Sequence, residues 1–495
     1  MPLFMALFVM VLLLFPITGT AADDYRPMSA IEVYYHSKNH EQIIRNLSKA
    51  NDPDSTVEDL LIAGELYYKR RVVDVDLGAG LSFKLNSKTP DKDALRYFER
   101  AAKKSQSPGL QLRIGQIYLR TREVIVGSIP TGEEWLTKAA NQGHTEAEYQ
   151  LGMFYQNTGW TRVDHQKTLH WLKRAANKNH TKALFQLGQM YLEGSGVATD
   201  EGQARRYYQQ AASNGHTLAM RMLGDSYRYG TFTKEDPVAA FDWYTRLAES
   251  GDSQAQVDIG LMYAAGEGTA RDYSAARKWM TAASQSKNPP MDAFFYLGML
   301  QEQGHGGPQD LSGAVKSYQQ AKKKGDLRAY AALGMMHMQG RGVEKDHTKS
   351  FELLSEPAKS GIAPAQYGLA LLYFSGAGVD KNVTYALDWF EKAGAQGHPD
   401  ALMALGEIYR VGEEVPGDLV ASAKWHQQGA ERGHSHSQLI MGIFYENGTG
   451  VPKNFTRSYM WFHIAGAYGS EQASRARDRL AKQLTPAQLN EAQQM

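Results

Sequence analysis

Apolar and small residues recur along most of this chain at intervals typical of a helix. In one stretch they fall at Ala183, Leu187, Gly188 and Tyr191, which are positions i, i+4, i+5 and i+8. Residues spaced in this way share one face of an α-helix. The pattern therefore predicts an amphipathic helix, and it returns about every 36 residues.

Two independent series carry this period. In the first, an aliphatic residue precedes a glycine, and most copies have a tyrosine three positions later. The glycine position holds Gly115, Gly152, Gly188, Gly224, Gly260, Gly298, Gly334, Ala370, Gly406 and Gly442. In the second, seven of the eight tryptophans share one position: Trp135, Trp171, Trp243, Trp279, Trp389, Trp425 and Trp461. Two series with one period indicate internal repeats.

Each repeat is predicted to contain two helices. Glycine inside a helix costs about 1 kcal/mol relative to alanine, so its regular return predicts that backbones approach closely there. Turns of the type Gly-x-Gly-Val, as in Gly194 to Val197, are predicted to end the first helix. Helix-capping residue types stand seven positions before the tryptophan position and predict the start of the second helix. They are Asp164, Asp200, Asp236, Asp272, Asp310, Asp346, Asn382, Asp418 and Asn454.

The full pattern, Ala-x-x-x-Leu-Gly-x-x-Tyr-x-x-Gly-x-Gly-Val, then Asp, then Ala-x-x-Trp, resembles the Sel-one-like repeat (SLR) family of the bacterial envelope type. This family is related to the tetratricopeptide repeats. From the residues alone we predict an all-α fold, an α-solenoid of about eleven repeats over residues 56–470, in which neighbouring repeats share a continuous core. The resemblance further implies a right-handed superhelix, a concave face lined by the first helices, and a role as an adaptor or scaffold.

The ends of the chain depart from the repeat. An apolar run from Leu3 to Ile17, followed by small residues, predicts a signal peptide over residues 1–22, because about 20 apolar residues are needed to span a membrane. An uncleaved anchor is the alternative. Residues 23–55 and 471–495 are predicted to be capping helices, the latter with a capping box of Thr485 and Gln488. An insertion at 72–91 alternates apolar and polar residues, which predicts a small hairpin or a docking loop.

Charge and composition narrow the classes of function. The formal net charge of +1 leaves no excess of cations to bind phosphates, so no nucleic-acid partner is expected. The absence of cysteine excludes disulfides and thiolate chemistry. We expect a periplasmic or secreted protein with no integral membrane span in the mature chain.

Candidate chemistry is sparse. The chain has no His-Glu-x-x-His, Gly-x-Ser-x-Gly or Walker motif. Five histidines occupy the same turn of different repeats, where a structural role is expected: His144, His180, His216, His398 and His434. The close pair His434 and His436 has no carboxylate at ligand spacing. We therefore predict no catalytic residue, no cofactor and no metal site.

Candidate protein-binding residues follow from the tetratricopeptide analogy, which implies that positions three before and one after the repeat glycine face the concave side. The selected residues are Tyr149, Met153, Phe185, Leu261, Phe295, Met299, Met335, Tyr367, Leu371 and Met403. Trp160, the tryptophan outside the repeat position, is added as a candidate anchor. The alternative is that half of these side chains pack against adjacent helices.

The leading hypothesis is a non-catalytic scaffold of the bacterial cell envelope that binds one or more proteins on its concave face. The setting we consider, as in some relatives, is envelope assembly or exopolysaccharide export. Two alternatives stay open: a hydrolase acting on cell-wall or β-lactam substrates, and a secreted effector that binds a host protein.

Overall fold

The computed structural model describes residues 49–50, 54–68, 74–76, 82–84, 90–120, 128–156 and 163–495. The chain divides into two compact units, residues 1–236 and residues 237–495. The predicted signal peptide, most of the predicted N-terminal capping helices and Trp160 lie outside the described residues. None of the described helices is long and apolar enough to cross a membrane.

The described part of the first unit holds nine helices and one pair of short strands. The helices are α1 (Val57–Tyr68), α2 (Pro90–Ser105), α3 (Pro108–Arg120), α4 (Ser128–Asn141), α5 (Thr145–Gln156), α6 (His165–Ala176), α7 (Thr181–Glu193), α8 (Glu201–Ser213) and α9 (Thr217–Tyr229). Strands β1 (Asp74–Asp76) and β2 (Ser82–Lys84) pair antiparallel, with Val75 opposite Phe83. The pairing agrees with the small hairpin predicted within the insertion at 72–91.

The second unit holds fifteen helices. They are α10 (Pro237–Glu249), α11 (Ser253–Ala265), α12 (Tyr273–Ser284), α13 (Met291–Gln303), α14 (Leu311–Lys323), α15 (Leu327–Gln339), α16 (His347–Lys359), α17 (Ala363–Ser375), α18 (Val383–Ala395), α19 (Pro399–Val411), α20 (Leu419–Glu431), α21 (Ser435–Asn447), α22 (Phe455–Ala467), α23 (Glu471–Ala481) and α24 (Pro486–Gln494). Within each unit, every helix from α1 to α22 packs against the next, and the last helix, α24, packs back on α22. This is the sequential packing of an α-solenoid. The predicted all-helical solenoid is thus confirmed, with the short strand pair as its one non-helical insertion among the described residues.

A side chain of the second helix lies directly over the repeat glycine of the first. A β-carbon added at Gly188 would lie 2.7 Å from the ring of Tyr208, and one added at Gly334 would lie 2.6 Å from Leu354. Real β-carbons do not approach other atoms so closely, so glycine makes room for a large side chain. The close packing expected from the sequence is confirmed, but the group in contact is a side chain and not the neighbouring backbone.

Helix ends are formed by the residues that the sequence singled out. Predicted caps accept a hydrogen bond from the first turn of the second helix at Asp164, Asp200, Asp272, Asp310, Asp346, Asn382, Asp418 and Asn454. The capping box of Thr485 and Gln488 is also present. First helices end at a left-handed glycine, for example Gly194 at φ 76° and Gly340 at φ 71°.

The second glycine of the Gly-x-Gly turn joins successive helix pairs. A β-carbon at Gly306 would overlap the carbonyl oxygen of Tyr273, the first residue of the second helix in the preceding pair. Gly268 and Gly450 meet the carbonyl oxygens of Pro237 and Leu419 in the same way. These three turns therefore approach main-chain atoms of the preceding pair.

Candidate protein-interaction surface

The candidate surface consists of the side chains three before and one after each repeat glycine, which we name the first-helix row. In the second unit, seven candidates from the sequence analysis are half-buried: Leu261, Phe295, Met299, Met335, Tyr367, Leu371 and Met403. In the first unit, Tyr149 and Met153 are also half-buried. Phe185 is only 7% exposed and stacks on His216, so its contribution is packing. We leave it out of the surface.

Neighbouring members of the row contact adjacent helix pairs. The sulfur of Met335 on α15 lies 2.7 Å from the place that a β-carbon would take at Gly368 on α17. Met335 also packs on a core that contains Leu354, while Tyr367 and Leu371 pack on a core that contains Phe390. The alternative interpretation is therefore partly right, because each of these side chains buries one side against the fold.

Some half-exposed apolar residues were missed in the sequence analysis. Met338 and Phe374 lie three positions after Met335 and Leu371, and Ala332 lies one turn before Met335. Residues three apart are neighbours on a helix surface, so this spacing was the available signal. Together with the row they form an apolar tract over α11, α13, α15 and α17.

Several charged side chains of the second unit are paired with each other. Arg328 donates to Asp326 at 2.7 Å and also to Asp292, and its guanidinium lies 4.4 Å from the ring centre of Phe295. The hydrogen bond to Asp326 is the main reason why the pKa of Arg328 is raised above its ordinary value. Further along the chain, three arginines pair with glutamates: Arg341 with Glu302 at 2.9 Å, Arg410 with Glu407 at 2.6 Å, and Arg479 with Glu446 at 2.7 Å.

One helix pair carries a polar group at its centre. His426 on α20 is fully buried over Gly406, where the next pair has Phe462 over Gly442. Its Nε2 lies 3.2 Å from Oε1 of Glu407, and its Nδ1 lies 3.4 Å from Oγ of Ser437. Burial lowers the pKa of His426 to about 4. Burial raises the pKa of Glu407, but hydrogen bonding to Arg410 and the charges of Arg410 and the nearby histidines together outweigh it, so the pKa of that carboxyl lies below its ordinary value.

This trio of serine, histidine and glutamate does not form a hydrolase site. Ser437 is fully buried, and its Oγ also lies 3.1 Å from Nδ1 of His434. A nucleophile has to reach the substrate, and this hydroxyl has no exposed surface. The hydrolase alternative therefore finds no support in these three residues.

Four of the five turn histidines cap first helices with their side chains, a role that the sequence analysis did not identify, while His398 makes no side-chain cap. Nδ1 of His144, His180 and His216 accepts a hydrogen bond from the amide three residues later, as Nδ1 of His434 does. Nε2 of His180 also lies 3.0 Å from Glu146. Elsewhere Asp252 and Asp326 cap first helices. Within the described ranges, no three His, Asp or Glu side chains are placed to hold a metal ion.

Comparisons with known proteins agree with the repeat pattern. The family model described as the Sel1 repeat matches residues 90–105, 111–144, 145–180, 181–216, 217–252, 253–288, 292–326, 327–361, 363–398, 399–434 and 435–469. No curated protein matches the chain.

Two solved structures are similar over much of their length. One is c5321, described as a protective antigen present in uropathogenic Escherichia coli strains and displaying an SLR fold. It has a TM-score of 0.70 and 26% identity over 92% of this chain and 93% of its own. The other is a Sel1 repeat protein from Oxalobacter formigenes, with a TM-score of 0.51 and 29% identity over 63% of this chain and 90% of its own.

Proposed function

Because the chain belongs to the Sel1-repeat family, we propose that it is a non-catalytic scaffold that binds another protein on the first-helix row of its second unit. Repeat proteins of this kind generally mediate protein–protein interactions, and the row takes the positions at which the tetratricopeptide analogy expects the concave side. The partner-binding residues in this proposal are Leu261, Phe295, Met299, Met335, Tyr367, Leu371 and Met403.

The observation that carries the proposal is the half-exposed apolar tract over α11, α13, α15 and α17. Soluble proteins rarely expose contiguous apolar surface without a function for it. Methionine is unbranched and polarisable, so Met299, Met335 and Met338 suit a surface that adapts to the shape of a bound chain.

We further propose that the scaffold works in the bacterial envelope, after export directed by residues 1–22. The apolar run from Leu3 to Ile17 supports this setting. The similarity to c5321, a protective antigen of Escherichia coli, is in keeping with it. Envelope assembly or exopolysaccharide export is the role that we propose for the complex.

Site-specific crosslinking in the native host tests the binding surface. A photo-crosslinking amino acid is placed at Met335 or Leu371 in one set of strains and at the exposed Lys349 on α16 in the control. We expect protein adducts from the first two positions, identified by mass spectrometry, and none from Lys349. Adducts from Lys349 alone would contradict the proposed surface.

A matched pair of variants tests whether the same residues provide affinity. Met299→Asp with Met335→Asp places two charges in the tract, and burying them against a partner is costly. We expect the adduct at Leu371 to disappear in this variant and to persist in Lys349→Asp. Circular dichroism and thermal unfolding establish that both variants are folded. An undiminished adduct in the folded double variant would overturn the proposal.

A further inference from the structure

From the pairing of charges around the apolar tract, we infer that its occupant is an uncharged, apolar segment of the partner polypeptide, recognised without ion pairs. This inference rests on the proposed function and specifies the chemistry of the partner. It follows from which donors and acceptors on the second unit are already engaged within the chain.

Arg328 lies beside Phe295 of the tract and is already engaged within the chain. Its Nε and Nη2 donate to the two carboxylate oxygens of Asp326 at 3.0 and 2.7 Å. Nη2 also donates to Asp292, and Nη1 lies 3.4 Å from the hydroxyl of Tyr296. The side chain of Asp326 is 2% exposed. Because this guanidinium is engaged on both edges and on one face, it has little capacity left for a carboxylate of a partner.

Glu302 lies three residues after Met299 and is also engaged within the chain. Its Oε1 accepts from Arg341, and its Oε2 accepts from Tyr318 at 2.8 Å. The carboxylate is 19% exposed. A lysine or arginine of a partner would have to compete with an existing ion pair, which gives little net gain at a partly solvated site.

The side chains of the tract beside the ion pairs of Arg328 and Glu302 are all uncharged. The tract itself presents Leu261, Met299, Ala332, Met335, Met338, Leu371 and Phe374, none of which can be charged. Charge selects partners by matching charge of opposite sign. Since the charged side chains beside the tract are already paired within the chain, the tract favours an uncharged segment of the partner. Binding of such a segment is stabilised because it removes apolar area from water.

Selection from a displayed peptide library tests this inference. Random peptides of about 15 residues, a length that covers several pockets of a groove, are selected on the full mature chain. We expect enriched peptides with several large apolar residues and a net charge near zero. Their Kd should change less than about twofold between about 0.05 M and about 0.5 M NaCl, because salt screens only charged contacts. Enrichment of acidic or basic peptides whose affinity falls about tenfold over this range would overturn the inference.

Two variants separate the possible failures. In Arg341→Ala, Glu302 loses its arginine partner, so selection should now yield peptides with a lysine or arginine and a salt-dependent Kd. Unchanged, salt-independent selection by this variant would mean that the internal pairing does not set the preference. In Met299→Asp with Met335→Asp, apolar peptides should lose at least about tenfold in affinity. If apolar peptides bind this folded variant equally well, the location given in the proposed function fails, whereas charged peptides that bind the tract refute only the inferred chemistry.

Discussion

The neighbouring helix pairs α19–α20 and α21–α22 share one frame, which consists of the repeat glycine, the turn and the helix caps. They differ in the side chain that covers the glycine. In the first, His426 lies over Gly406 and faces Glu407, while in the second, Phe462 lies over Gly442 and the position of Glu407 is taken by Ile443. Both central rings are fully buried. The comparison teaches that the frame fixes where a large side chain lies, while the residues around it decide whether that side chain is apolar or titratable.

The largest expected effect comes from giving the second pair the centre of the first. Phe462→His would bury an imidazole beside Ile443, without a carboxylate to accept its N–H. An unpaired buried polar group costs about 1–3 kcal/mol, to which the lost apolar contacts add. Because the two costs add, we expect the free energy of local unfolding of α21 and α22 to fall by more than about 3 kcal/mol at neutral pH. Hydrogen–deuterium exchange of these helices measures it, and unchanged protection would break the comparison.

The next largest effect is expected in acid, where protonation of His426 should lower the stability of the fold. Its pKa is about 4 in the folded chain and 6.5 as the ordinary value, so the unfolded chain binds the proton first as pH falls. Stability from the neutral ring is complete above 6.5 and is lost as pH falls from 6.5 to about 4. A difference of one in pKa corresponds to about 1.4 kcal/mol, so the loss of stability reaches about 3 kcal/mol.

The variant His426→Phe tests this acid sensitivity. Phe462 over Gly442 shows that the frame accommodates such a ring. We expect protection of α19 and α20 against hydrogen exchange, corrected for intrinsic rates, to fall with pH in the parent and much less in this variant. His463→Phe, at an exposed position of α22, is the matched control. Equal acid sensitivity in His426→Phe would assign the effect to other groups.

A histidine at a helix end should have a smaller effect than one at the centre of a pair. Burial and then Lys182 lower the pKa of His216, whose Nδ1 accepts from the amide of Ala219. That cap is therefore present above pH 6.5 and is lost as pH falls below it. In His216→Asp the cap persists in mild acid, as at Asp252. We expect a gain of about 1 kcal/mol for α9 in mild acid, measured by hydrogen exchange.

A reciprocal variant provides the control for this cap. Asp252→His should transfer the acid sensitivity to α11, which Asp252 caps through the amide of Ala255. If protection of α11 in Asp252→His is as insensitive to pH as in the parent, the cap histidines do not respond to acid in this way.

The smallest change concerns the charge of Glu407. Glu407→Gln keeps the shape of the side chain and removes the carboxylate, which raises the pKa of His426 by its charge. We therefore expect the pKa of His426 to fall in the variant, with a stability change of less than about 1 kcal/mol because Glu407 is partly solvated. Titration of the imidazole signals by NMR measures it. A pKa that stays unchanged or rises would show that Glu407 does not act on His426.

The frame could be predicted from the sequence because it rests on backbone requirements. The cap at Asp200 and the left-handed Gly194 each have one local physical reason, and both predictions are confirmed, while close packing at Gly188 is confirmed with Tyr208 as the group in contact. The family assignment is confirmed for the same reason. Residue types that report on local geometry can be identified without knowledge of distant contacts.

The surface could be predicted less well because it depends on the following repeat. Phe185 has the right position for an exposed side chain, but His216 from the next repeat covers it. His426 and Ser437 lie 11 residues apart and meet only because α20 packs against α21. The role of His180 as a cap requires an unprotonated Nδ1, and residue type alone does not specify a tautomer. Binding of a partner by the row stays a prediction.

The contact between Gly306 and the carbonyl oxygen of Tyr273 has a consequence for how such arrays evolve. The close approach of Gly306 to Tyr273 is made by main-chain atoms, so any unit that keeps the glycine keeps this part of the joint. Duplication or loss of a whole unit then preserves the joint, while the outward-facing residues are left open to selection for new ligands.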